Sequence, residues 1–363
     1  MTNKIHNNRA THITVNVDAI KHNLNRVREL VPNAEVMAVI KADGYGHSMA
    51  LVAQALSDAD EFAVTGLDDL RHLRANGINK QVTMLSASFN VTDLNEMASQ
   101  NARPVIYDFD QLNELQKLDE SAGLELWIKV DTGMGRLGFA LEDAPIVAAR
   151  ALTQAGVASV SLMTHLANAD DVDQPSNQRQ IKAFLKFTDE FDFKQISILN
   201  SAGVVGFAQN AQDIVRPGLM LYGVSPQLGV NANTLKLKAA MEFKSELISV
   251  KRLPAGSPIG YGSRYALDCD SRIGVISCGY ADGYPRHAPN GTPVLINGFY
   301  VPLIGRVSMD LMTVDLGEIP ASVGDSAILW GAENPIENIA ELSGTIAYEL
   351  LCGITARVER IVT

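Results

Sequence analysis

At 363 residues, with 47% apolar and 20% charged side chains, the chain is long enough to bury a large core and to form more than one domain. Its 30 basic and 41 acidic side chains leave a net charge of −11, which argues against nucleic acid or an anionic membrane as the main partner. No signal-peptide core and no apolar run of bilayer length is present. The three cysteines, Cys269, Cys278 and Cys352, lack metal-ligand spacing, so no metal site is expected and a reducing cytoplasm is the expected compartment.

Thr11 to Leu30 reads as a short alternating strand and then a helix, with Asp18 as its N-cap. Strand-like runs follow near 36–40, 61–64, 82–85, 104–107, 125–130, 159–164, 196–199 and 219–222. Segments of helical periodicity lie between them, among them Ala50 to Leu56, Leu67 to Leu73, Leu112 to Leu118 and Ile181 to Phe187. Eight strands alternating with helices predict a parallel sheet closed into an α/β (β/α)8 TIM barrel over residues 1–235. After about residue 235 the texture changes. Met241 to Val250, Arg272 to Ser277, Pro293 to Ile296 and Leu311 to Val314 alternate, and turn clusters separate them. Residues 236–363 therefore read as a mostly-β domain.

The apolar run from Val36 ends at Lys41, and a turn with Gly44 and Gly46 follows. In a barrel, chemistry collects at the C-terminal ends of strands, where a desolvated lysine loses its proton more easily and attacks a carbonyl. The bland alternative is a solvated lysine capping a strand. The neighbours Tyr45 and Ser48 favour an anion-binding turn. After the fifth strand, Lys129-Val-Asp-Thr-Gly-Met-Gly-Arg-Leu-Gly138 sets Arg136 among glycines on the same barrel face. A solvated Arg136 in an ordinary loop is the alternative. His165 ends the sixth strand, where a structural and a functional histidine are about equally plausible readings. Asn200-Ser-Ala-Gly203 ends the seventh strand. Ser201 there is either an N-cap or a phosphate ligand, and Arg216-Pro-Gly-Leu219 adds backbone N–H groups at Gly218 and Leu219. Arg216 itself is either half of a salt bridge or a ligand contact. In the β domain, Gly260 and Gly262 flank Tyr261, which leaves its ring open.

Taken together, these blocks resemble the alanine racemases, a pyridoxal-phosphate family of fold type III. The resemblance spans the whole chain and includes Arg216-Pro-Gly-x-x-x-Tyr222-Gly, Gly260-Tyr-Gly-x-x-Tyr265, Gly279-Tyr-Ala-Asp-Gly-Tyr-Pro-Arg286 and Gly305-Arg-Val-Ser-Met-Asp310. It implies racemisation of L- and D-alanine by two bases, Lys41 and Tyr261, with pyridoxal 5'-phosphate carried on Lys41. It implies that Tyr45, Arg136, His165, Asn200, Ser201, Arg216, Gly218, Leu219 and Tyr222 bind the cofactor. Arg136 and the Met309 backbone would hold the substrate carboxylate, and Tyr280, Arg286, Arg306 and Asp310 would form a gate. Lys129 is implied to be carbamylated, against the equal alternative of a lysine paired with Asp131. The resemblance also implies a homodimer with shared sites. The product serves peptidoglycan supply or alanine catabolism.

Many pyridoxal-phosphate enzymes set a carboxylate at the pyridine nitrogen. Arg216 in that place leaves the ring a weaker electron sink, which suits proton exchange over transamination. It also disfavours a barrel-type decarboxylase, while the β domain disfavours a non-catalytic cofactor carrier. A racemase of broader specificity, including serine, is the nearer alternative. The chain departs from the family at Asp43-Gly44 and Ser48, where Asn-Ala and Gly are common, and at Ala356, where some members have a phosphate-binding tyrosine.

Overall fold

The computed structural model describes residues 9–188 and 191–363. The chain divides into two compact units. One comprises Ile20–Gly44 and Met49–Leu237; the other comprises the described residues up to Ala19, Tyr45–Ser48 and Lys238–Thr363. Strands are numbered along the chain from β1 (His12–Val15), which belongs to the second unit.

The larger unit is an eight-stranded parallel sheet. Its strands are β2 (Glu35–Val39), β3 (Glu61–Val64), β4 (Val82–Met84), β5 (Ala102–Ile106), β6 (Leu124–Lys129), β7 (Val157–Met163), β8 (Ile196–Ser197) and β9 (Ile214–Val215). They lie in the order β8-β7-β6-β5-β4-β3-β2-β9. A bridge between Asn200 and Arg216 brings the two ends together, and the Arg216 N–H donates to Leu199 C=O at 2.8 Å. Residues of β3, β4 and β5 are buried throughout, as continuous strands covered on both faces must be. Helices Met49–Ala55, Leu67–Ala75, Val91–Ser99, Phe109–Glu114, Ala144–Leu152, Pro175–Thr188 and Ser201–Gly206 intervene. Their starts follow local chemistry. Asn90 and Asp93 form a capping box, and the Asp108 carboxylate accepts from the Gln111 N–H at 2.8 Å.

One strand lies elsewhere than the sequence predicts. The eighth strand is Ile214–Val215, and Leu219–Tyr222 is a 3-10 turn. A short buried apolar run has no periodicity that separates the two states.

In the other unit the long strand β10 (Met241–Leu253) is the spine, with alternating burial over its first half. The small hairpin β11 (Pro258–Ile259) and β12 (Tyr265–Ala266) follows. Then come β13 (Ser271–Ile276), β14 (Pro293–Ile296), β15 (Phe299–Pro302), β16 (Met312–Asp315), β17 (Ser326–Trp330) and β18 (Glu359–Val362). Strand β10 pairs antiparallel with β1, β13 and β17, and β1 pairs parallel with β18. The opening strand is thus a central member of this sheet, with His12 opposite both Lys244 and Glu359. The helix Val17–Leu30 is capped by Asn16, whose side chain accepts from the Ala19 N–H at 2.8 Å; Asp18 instead lies in the first turn. The segment Tyr45–Ser48 is tied in by Gly46, whose C=O accepts from Arg360 Nε at 3.1 Å.

Candidate active site

Lys41 follows the C-terminal end of β2, and the chain turns there in an unusual way. Ala42, Asp43, Gly44 and Tyr45 all have φ between 52° and 62°, a run of left-handed residues. For L-residues this conformation costs about 1–2 kcal/mol each, so surrounding contacts must enforce it. Two of them are visible. The Gly44 N–H donates to Ile40 C=O at 2.9 Å, and the Asp43 carboxylate accepts from the Met49 N–H at 2.9 Å. The strand itself is fixed by Tyr222, which is buried and donates its hydroxyl to Val39 C=O at 3.1 Å.

Around Lys41 the strand ends of the barrel gather positive charge. Lys129, only 9% exposed at the end of β6, has its ammonium pKa lowered to about 8. Burial is the main cause, followed by Arg216, Arg136 and Lys41. His165 feels the same set. Burial first, then Arg216, Lys129, Arg136 and Lys41, push its imidazole well below its usual range, so the ring is neutral at physiological pH. Arg216 is 5% exposed, and its guanidinium donates to Ser197 Oγ and Thr164 C=O, each at 2.5 Å. These partners are neutral, and no salt bridge is among them. Desolvation lowers its pKa to about 10, which still leaves it a cation.

The acidic neighbour of this cluster is Asp131, and its carboxylate is committed to its own loop. It accepts from the N–H groups of Gly133, Met134, Gly135 and Arg136 at 2.8–3.2 Å. Those bonds hold the acid ionised, after the opposing effect of burial, and shape the glycine loop that carries Arg136. Lys129 accordingly has no Asp131 partner at ion-pair distance, contrary to the pairing considered from sequence. Arg136 is exposed.

At the closure of the barrel, Asn200 caps the helix Ser201–Gly206 by accepting from the Gly203 N–H at 2.9 Å. Ser201 is therefore not the cap. Its buried hydroxyl accepts from the N–H of Gly218 at 2.8 Å and of Met220 at 3.3 Å, which joins it to the turn that starts with Leu219.

The other unit holds the remaining candidates. Tyr261 sits at the tip of the β11–β12 hairpin, between Gly260 (φ 69°) and Gly262 (φ 77°), and is 71% exposed. Tyr45 is buried with its ring 5.9 Å from Tyr348, and burial keeps its phenol protonated far above neutrality. Met309 is 53% exposed, and its C=O accepts from the Ala281 N–H at 3.0 Å. Tyr280 is partly exposed and Arg286 exposed, while Arg306 is half-buried. Asp310 pairs with Arg357 at 2.8 Å and Arg9 at 3.5 Å. Both arginines also reach the buried Asp282, Arg9 at 2.8 Å and Arg357 at 2.7 Å.

Several of these supporting residues escape a reading by motif. Ser197 and Thr164 hold Arg216 through partners far apart in sequence. Gln180 donates to His165 C=O at 3.1 Å from a helix face with no chemical signature. Asp131 was findable, because an aspartate two residues before a glycine commonly caps its own turn.

Comparison with known proteins settles the family. Residues 15–226 match the model of the alanine racemase N-terminal domain, and residues 240–362 match that of the C-terminal domain. The chain belongs to the alanine racemase family. An alanine racemase of Coxiella burnetii is 43% identical over 362 residues, covering 98% of this chain and 99% of the relative. The crystal structure of the biosynthetic alanine racemase from Pseudomonas aeruginosa superposes with a TM-score of 0.95 at 38% identity, covering 98% and 99% of the two chains. That of Acinetobacter baumannii gives 0.92 at 34% identity, covering 98% and 100%. Membership makes the chain an isomerase of this class and bears out the expected barrel followed by a mostly-β domain. The family is pyridoxal-phosphate-dependent. Among the described residues no helix is long and apolar enough to cross a membrane.

Proposed function

We propose that the chain interconverts L- and D-alanine with pyridoxal 5'-phosphate, using Lys41 and Tyr261 as its two bases. The observation that carries this reading is the coupled group of cations around Lys41: Lys129, Arg136 and Arg216, with a neutral His165 among them. A chain of net charge −11 assembles such a group to receive an anion. The donor set fits a phosphorylated pyridine and an amino-acid carboxylate. Ser201, Gly218, Leu219 and Tyr45 would hold the phosphate, with Asn200 and Tyr222 supporting the turn and strand they pin. Arg136 and the Met309 N–H would hold the substrate carboxylate. Tyr280, Arg286, Arg306 and Asp310 would gate access.

When bound, pyridoxal phosphate supplies an electron-withdrawing ring that acidifies the Cα proton. Lys41 Nζ exchanges that proton on one face, and Tyr261 Oη on the other. Inversion needs two bases, since one fixed base tends to return the proton to the side it left. Arg216, which keeps its own proton, would donate to the pyridine nitrogen of the bound group, an arrangement that suits proton exchange and disfavours decarboxylation. Lys129, with a pKa of about 8, has an appreciable neutral fraction near physiological pH and can take up CO2 as a carbamate that orients Arg136. In this division of labour the unit of Ile20–Gly44 and Met49–Leu237 carries Lys41 and most of the cofactor's ligands, and the unit that includes Lys238–Thr363 brings the second base. The working form is a homodimer in which Tyr261 serves the partner's site. Cys269, Cys278 and Cys352, which form no disulfide among the described residues, suit the cytoplasm, and D-alanine supply for peptidoglycan or alanine catabolism is the role.

Borohydride reduction of the holoenzyme followed by peptide mapping places the pyridoxyl group on Lys41. A label on another lysine would overturn the assignment. A panel of small amino acids in D2O then separates the alternatives: Cα deuteration of alanine with loss of optical rotation marks racemisation, equal rates on serine mark a broader racemase, and CO2 release marks a decarboxylase.

A further inference from the structure

In the proposed mechanism the Met309 N–H is offered to the substrate carboxylate. Met309 lies outside any helix or strand, so something other than regular structure must aim that group. Among the described residues no backbone carbonyl accepts from it. Its direction is set by the peptide plane it shares with the Ser308 C=O, because a trans peptide points the two groups opposite ways. That carbonyl accepts from the Tyr280 N–H at 3.0 Å. The next plane is held too, since the Met309 C=O accepts from the Ala281 N–H at 3.0 Å. Both donors lie in one short turn, Tyr280–Asp282. Gly279, just before it, approaches so closely that a Cβ there would strike the carbonyl oxygens of Ser308 and Met309.

Asp282 organises this turn from within the unit, where it is 1% exposed. One carboxylate oxygen accepts from the Gly279 N–H at 2.9 Å and from Arg9 at 2.8 Å. The other accepts from Arg357 Nε at 2.7 Å. Arg357 also reaches Asp310, the residue after Met309, at 2.8 Å, and Arg9 reaches the same carboxylate at 3.5 Å. Two guanidinium groups thus tie the supporting turn to the residue that follows the donor. Thr355 donates its hydroxyl to the Ala281 C=O at 2.8 Å, which holds the segment carrying Arg357 against the turn. A buried ion network is a costly route to stability, because desolvation offsets most of the attraction. Its fixed hydrogen-bond directions do hold a loop in one geometry.

We propose that Arg9, Asp282 and Arg357 are positioning residues for the reaction: through the Tyr280–Asp282 turn and Asp310 they fix the direction in which the Met309 N–H meets the substrate carboxylate. They touch neither the Cα proton nor the two bases of the proposed mechanism. They therefore govern how tightly a carboxylate is held, not how fast the proton moves. The inference rests on the assignment of Met309 as carboxylate donor, and the test separates the two.

The cofactor-loaded enzyme is compared with Arg357→Gln, Arg357→Lys and Arg9→Gln. Propionate probes binding alone, because it has the carboxylate of alanine and no amine. One misaimed charge-assisted hydrogen bond is worth up to about ten-fold in affinity. Arg357→Gln should raise KM for both alanine enantiomers, and the inhibition constant of propionate, by about five- to ten-fold, with kcat within about three-fold of wild type. Arg357→Lys keeps the charge but loses the fork, so it should fall between the two. Arg9→Gln should repeat the effect more weakly, since its reach to Asp310 is longer, and it serves if Arg357→Gln does not fold. Hydrogen exchange supplies a readout without turnover. The Tyr280 and Ala281 amides should exchange about ten-fold faster in Arg357→Gln, and propionate should protect the Met309 amide in wild type. A fall in kcat with KM and the propionate constant unchanged overturns the proposal and leaves a structural network. Unchanged exchange at Tyr280 and Ala281 overturns it as well. If propionate leaves the wild-type Met309 amide unprotected, the Met309 assignment itself fails and the proposal falls with it.

Discussion

A single guanidinium illustrates how much one residue decides. Arg216 is buried, bonded to neutral oxygens and still cationic with a pKa of about 10. In the proposed mechanism, Arg216→Glu reverses the sign of the charge offered to the pyridine nitrogen. Racemisation should fall by roughly 10²-fold or more, and the cofactor's visible absorption should change; an unaltered spectrum and rate would show that Arg216 does not face the ring. His165 offers a subtler check. Four cations and burial hold it neutral, so its imidazole resonances should not move between pH 5.5 and 8, whereas a histidine free of that cluster titrates near 6.5. The sequence displayed Lys41, Arg136, His165 and Arg216 because glycines, prolines and strand ends mark their positions. It could not display their mutual influence, which arises from strands whose ends meet only when the barrel closes.

At the level of elements, the left-handed turn after Lys41 predicts opposite responses at two neighbouring sites. Ala42 is exposed with φ 53°, so Ala42→Gly relieves strain and should stabilise the chain by about 0.5–1 kcal/mol. Gly44 has φ 62°, and a Cβ there would sit 2.9 Å from Val52 and 3.3 Å from the Met49 backbone. Gly44→Ala should therefore cost about 1–3 kcal/mol in urea unfolding. The apolar run and the two glycines announced a turn, but nothing local announces left-handed alanine and aspartate; the Asp43–Met49 bond enforces them from outside the turn. The opposite end of the barrel carries a second element-scale consequence. Glu61 at the start of β3 is buried against Arg103 at 2.9 Å, yet burial outweighs that attraction and raises its pKa to about 7. A folded-state pKa above the unfolded value means that the folded chain binds the extra proton. The stability it confers is full below about pH 4.5 and lost as pH rises through 7. Between pH 5 and 8, wild type should lose about 1–3 kcal/mol relative to Glu61→Gln, read as the difference of two urea-melt series. A parallel trend in both proteins would refute the assignment.

For the whole molecule, the proposed sharing of sites between two copies makes a quantitative prediction. Lys41→Ala and Tyr261→Phe should each lower kcat/KM by roughly 10²–10⁴-fold. Mixed under conditions that exchange subunits, half the dimers become hybrids, and one of their two sites regains both bases. About one site in four should then recover. If both bases came from one chain, activity would stay at the sum of the two mutants. The two-part organisation was legible from the switch between helical and alternating periodicity near residue 235. The membership of β1 in the later unit was not. Its partners, β10 and β18, stand more than 220 and 340 residues downstream, as the pairs His12–Lys244 and His12–Glu359 record. A four-residue alternating strand carries no address for neighbours so distant.

That placement of β1 bears on how the protein is made. His12–Val15 leaves the ribosome long before β18, which is translated only at Glu359–Val362. At about 5–20 residues per second, the strand waits roughly 20–70 s for its last neighbour. Until β10 is made at Met241–Leu253 its backbone donors and acceptors have no sheet to join, and its second edge stays open to other nascent chains until β18 follows. Assembly of the unit that bears Tyr261 is thereby postponed until β18 has been made, while the barrel strands β2 to β9 have long been available to pair.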